Sequence, residues 1–81
     1  MNGTIIRMKD TNGQVRTSWR VVQAKSMAAI SSAIISASVT GSVGATHNVQ
    51  DASGHLYDYA TVQKVVRSNG KWVDVKPYNY V

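Results

Sequence analysis

Apolar and polar positions along the chain change their period from segment to segment. From Thr4 to Val22 they alternate around an Asn12-Gly13 pair, and from Leu56 to Val81 around Asn69-Gly70. A period of two marks a strand with one buried face. Asn-Gly between two such runs marks a tight hairpin, because both central residues of a type I′ turn need positive φ. The sequence therefore predicts one hairpin over residues 4–22 and a second over 56–81.

With Asn12-Gly13 as a two-residue turn, Asp10 pairs with Val15, Met8 with Thr17 and Ile6 with Trp19. One face then holds Ile6, Met8, Val15, Thr17, Trp19 and Val21, a core face. The other holds Ile5, Arg7, Lys9, Arg16, Ser18 and Arg20, a basic one. The same turn at Asn69-Gly70 pairs Val66 with Val73 and Lys64 with Val75. It collects Leu56, Ala60, Val62, Val66, Val73 and Val75 on one face, with Lys64 among them. Tyr57, Tyr59, Val65, Arg67, Trp72, Asp74, Lys76, Tyr78 and Tyr80 share the other, where Arg67 opposite Trp72 allows a cation–π contact. Pro77 cannot donate to a ladder and suggests an edge or a bulge.

Between the hairpins the period lengthens. Residues 23–39 are rich in Ala and Ser and read as a helix, with Met27, Ile30, Ile34 and Ala37 as the main stripe. Ala28, Ile35 and Val39 form a second stripe roughly opposite, beside Ala29, Ser32 and Ser36. A helix lying on one small sheet should be polar outside, yet Ser26 to Gln50 contains no Lys, Arg, Asp or Glu. The second stripe is therefore a candidate self-association surface. A rival pattern runs from Ile34 to Val43, where apolar and hydroxyl residues alternate. It implies a mostly β fold with a short helix. Thr40 to Gly54, with Gly41, Gly44 and Gly54, reads as a long flexible loop.

Together these segments predict a single α+β domain over residues 1–81. Its order is β-β-α-β-β, with a four-stranded, mainly antiparallel sheet packed on one central Ala/Ser-rich helix.

Composition then narrows the function. A chain of 81 residues leaves about 4800 Å² exposed when folded, against about 12,800 Å² extended, so only about 60% of its surface can be buried. The material for a core is thin, with no Phe, one Leu and eight Ala. A homo-oligomer would bury what a lone chain cannot. Without Cys there are no disulfides, thiol nucleophiles or thiolate metal sites, and without Glu the acids are Asp10, Asp51, Asp58 and Asp74 alone.

His47, Asp51 and His55 follow at intervals of four and are all metal-ligand types, but Ser53 and Gly54 oppose a helix there, so they read as exposed loop residues. Asp58 beside His55, or Asp51 beside His47, would orient an imidazole, and Ser42 or Ser53 would serve as a nucleophile. Among nine serines such groupings arise by chance, and no oxyanion hole is implied. Gly41-Ser42-Val43-Gly44 reads as a linker or a strand end. The expectation is a protein that is not an enzyme and has no cofactor or metal.

Charge suggests partners. Nine Lys and Arg against four Asp give +5, concentrated at Arg7, Lys9, Arg16, Arg20 and Lys25. Such a face can track phosphates with salt-dependent affinity. The aromatic set Tyr57, Tyr59, Trp72, Tyr78 and Tyr80 suits either bases or a protein interface. The expected partners are a second copy of the chain and another protein, with nucleic acid as the alternative. No apolar run reaches membrane-spanning length, and no basic stretch leads into an apolar one at Met1. The expected setting is the cytoplasm, away from membranes.

Overall fold

The computed structural model describes residues 1–76. Five strands and one helix follow in the order β1 (Ile5–Lys9), β2 (Val15–Ala24), α1 (Met27–Thr40), β3 (Gly44–Gln50), β4 (Leu56–Ser68) and β5 (Lys71–Asp74). All pairings are antiparallel. The sheet runs β1-β2-β4-β3, with β5 also on β4. β3 flanks the first part of β4, through Gln63, and β5 the last part, from Val65, so one 13-residue strand carries both. This is the expected α+β architecture, one helix on a mainly antiparallel sheet, with a fifth strand added.

That strand corrects the expected loop over 40–54. Ala45, His47 and Val49 alternate with Thr46, Asn48 and Gln50, and β3 pairs with β4 from Gly44–Gln63 to Gln50–Leu56. Only the short connection at 41–43 and the turn at 51–55 remain loops. In that turn the chain is held by its own first residue. The Asp51 carboxylate accepts from the Ser53 and His55 amides at 3.0 and 2.9 Å, and Gly54 takes φ 83°.

The first hairpin closes in the same way. Asp10 Oδ1 accepts from the Asn12 and Gln14 amides at 2.9 and 3.0 Å, and only Gly13 takes positive φ. Asp10 and Gln14 thus flank a three-residue loop, not the expected two-residue turn. Lys9, not Asp10, stands opposite Val15. A bulge at Arg16 then restores the expected pairs Met8–Thr17 and Ile6–Trp19. Asn69-Gly70 is the true type I′ turn, with φ 51° and 77°, and the expected Val66–Val73 and Arg67–Trp72 pairs form beside it.

The helix begins later than expected, because Gln23 and Ala24 stay in β2 and Ser26 caps it. Ser26 Oγ accepts from the Ala29 amide at 3.1 Å. The helix continues to Thr40, so the rival strand over 34–43 does not form. Gly41 ends it in the left-handed conformation. The buried face is Ala29, Ile30, Ala33, Ile34 and Ala37, against Trp19, Val21, Ala60 and Val62. Alanines at intervals of four let the helix sit close to the sheet. Met27, expected on this face, is 56% exposed. Ala29, expected beside the outer stripe, is buried.

The helix spans about 21 Å and β4 about 43 Å. The helix covers only part of that sheet face, so Met8, Val66 and Val73, which continue it, are exposed.

Candidate interaction surfaces

The pairing of β2 with β4 joins two residue sets that the sequence placed on separate hairpins. Ser18 lies opposite Val65 and Arg20 opposite Gln63. The basic face of the first hairpin and the aromatic face of the second thus become one continuous sheet face, on the side away from the helix. Arg7, Arg20, Gln63, Thr61, Tyr59, Arg67 and Trp72 share it by strand parity.

Its charge is partly compensated. Arg20 reaches across β4 to an ion pair with Asp74 on β5. Arg16, displaced by the bulge, lies 3.8 Å from Asp10 and is otherwise exposed. Among the described residues Arg7, Lys9 and Lys25 have no carboxylate partner. Arg67 sits over the Trp72 ring, 5.3 Å from its centroid, the contact the sequence implied. Arg20, Lys71, Trp72, Asp74 and Lys76 line a shallow groove of about 340 Å³. Tyr59 is half-buried and Tyr57 exposed; Tyr78, Tyr80 and Pro77 lie outside the described residues. Arg67 was absent from the expected basic set because its parity with Arg7 becomes visible only once β2 and β4 are paired.

The second surface is the outside of the helix. Ala28 is exposed, Ile35 is 59% exposed and Val39 81% exposed, so the second stripe points away from the sheet. With Met27 it forms an apolar strip on a helix that carries no charge.

The imidazoles and carboxylates do not assemble. Among the described residues no three of His, Asp, Glu or Cys are grouped as metal ligands. His47 lies within β3 opposite Ala60. The Asp51 carboxylate turns to its own loop, and its pKa is lowered, first by the Ser53 hydroxyl at 2.7 Å and then by the His55 amide. Asp58 orients no imidazole; it accepts from Ser26 Oγ and from its neighbour Tyr59 N–H. No helix among the described residues is long and apolar enough to cross a membrane. Comparison with protein-family models, curated proteins and solved structures finds no match.

Proposed function

We propose that the protein is a non-catalytic binding module that acts as a self-associated assembly and presents that assembly to a protein partner. The observation that carries this reading is the outer helix stripe. Ile35 and Val39 stand in water on an element whose flanks offer only Ala, Ser, Met and Thr. Transfer of such side chains into an interface is favourable by about 1.5–3 kcal/mol each when burial is complete. The helix carries no charged side chain whose desolvation would oppose contact. Ile35→Asp tests it, because Ile35 supports no part of the core. The variant is expected to keep its far-UV spectrum while the mass by light scattering falls. An unchanged mass would refute a role for this stripe.

A second reading is favoured by the merged sheet face. Arg7, Arg67, Tyr59 and Trp72 on one open surface suit a single-stranded nucleic acid, with cations for phosphates and ring faces for bases. Tyr59 and the Arg67–Trp72 row are about 26 Å apart along β4, enough for several nucleotides. Fluorescence anisotropy with single-stranded DNA and RNA is expected to show binding that weakens steeply with salt. It is expected to be lost on joint neutralisation of Arg7, Arg16 and Arg20. No binding at low salt would end this reading.

A further inference from the structure

We infer that a second copy of the chain docks along the outer edge of β3, in a two-fold arrangement that continues the sheet and sets the two helices side by side. This rests on the self-association reading and gives it a geometry.

β3 ends the sheet, and its outer edge pairs with no strand among the described residues. The Val43 carbonyl accepts from the Lys64 amide at 2.7 Å. By the two-residue alternation of antiparallel ladders, Ala45, His47 and Val49 turn their backbone groups toward β4. Thr46 and Asn48 turn theirs outward.

Sheet edges in monomers are usually guarded by charge. β1 carries Arg7 and Lys9, and β5 carries Lys71 and Asp74, whereas β3 carries none. In a chain of net charge +5, a second copy meets least repulsion along Ser26 to Gln50. That stretch supplies both the helix and β3.

Geometry points the same way. A two-fold axis normal to the sheet, beside β3, pairs Thr46 of one copy with Asn48 of the other, in a register centred on His47. It leaves both helices on one face. The helix packs over β3 and β4 more than over β2. With strands about 4.8 Å apart, a helix midway between β3 and β4 lies about 9.6 Å from its symmetry mate, within the 8–10 Å of packed helices. β2, α1 and β3 form a strand–helix–parallel strand crossover around β4. Its usual right-handed sense sets Met27, Ser31 and Ser38 on the flank toward the dyad, with Ile35 beside them. All four are exposed, and the two serines are small enough for close approach.

Asn48→Pro is the test. Proline on an edge strand with an outward N–H removes no bond to β4. Sedimentation of the wild type is expected to show a dimer, and Asn48→Pro is expected to weaken it by about tenfold or more through lost edge hydrogen bonds. The Thr46 and Asn48 amides of the wild type are expected to exchange more slowly as protein concentration rises. If the wild type dimerises while Asn48→Pro dimerises equally well and those amides exchange fast at every concentration, the edge is refuted and self-association stands. A wild type monomeric at every concentration refutes both. Should Asn48→Pro fail to fold, the amide exchange decides alone.

Discussion

Ser26 Oγ donates to both carboxylate oxygens of Asp58, at 2.9 and 2.7 Å, while accepting from the Ala29 amide. One hydroxyl thereby caps the helix and ties its start to β4, 32 residues away in sequence. The carboxylate also stands at the positive end of the helix dipole. Ser26→Ala removes the cap and its anchor together. It is expected to lower the unfolding free energy by about 1–2 kcal/mol, measured by urea titration, with the native far-UV spectrum retained.

The other end of the helix depends on Gly41. Its φ is 70°, and its amide bonds back to the Ala37 and Ser38 carbonyls. A Cβ built there meets nothing within 4 Å, so the cost of a side chain is that of the backbone conformation alone. Gly41→Ala is expected to destabilise the fold by about 1 kcal/mol. Equal stability in urea would show that the cap relaxes freely.

The Asp51 turn gives a pH signature. Its carboxyl is lowered from 3.8, chiefly by the Ser53 hydroxyl and then the His55 amide. A lowered folded pKa stabilises the turn above the ordinary carboxylate value, and that contribution is lost as pH falls through the folded value. NMR titration is expected to place the Asp51 midpoint below 3.8, with the Ser53 and His55 amides shifting in step. Ser53→Ala is expected to raise the midpoint. A midpoint unmoved by that change would contradict the assigned cause.

The hairpins and the helix were legible in the sequence because their signals are strong: period-two runs beside Asn-Gly, and a long Ala/Ser segment. β3 was not. Its inward residues are Ala45, His47 and Val49, too weakly apolar to stand out, and three nearby glycines imitate a loop. The repeated turn, Asp10-Thr11-Asn12-Gly13 and Asp51-Ala52-Ser53-Gly54, was the overlooked clue. In both, an aspartate collects the amides of a three-residue loop, and the second announces a hairpin. A stripe that includes Met27 lies off the buried face, because Met27 is exposed at its margin. Alanines at positions 29, 33 and 37 define the contact better, because helix and sheet are close. Ala28, Ile35 and Val39 all face outward, as the helical period implies.

The two tryptophans separate the sheet-face reading from general adsorption. Trp19 is 1% exposed beneath the helix, and Trp72 is half-buried on the open face beside Arg67. Single-stranded oligonucleotide is expected to quench the Trp72 fluorescence, measured in Trp19→Phe, and to leave the Trp19 signal of Trp72→Phe unchanged. Quenching confined to Trp19 would contradict binding at this face.

Ile35 on the outer helix stripe and the uncharged edge of β3 are both held to be covered by another copy of the chain. Sedimentation equilibrium of the unmodified protein over a hundredfold range of concentration measures this most directly. The expected result is a mass rising to twice that of the chain, with Ile35→Asp remaining at the single-chain value. A single-chain mass for the unmodified protein at every concentration would contradict it.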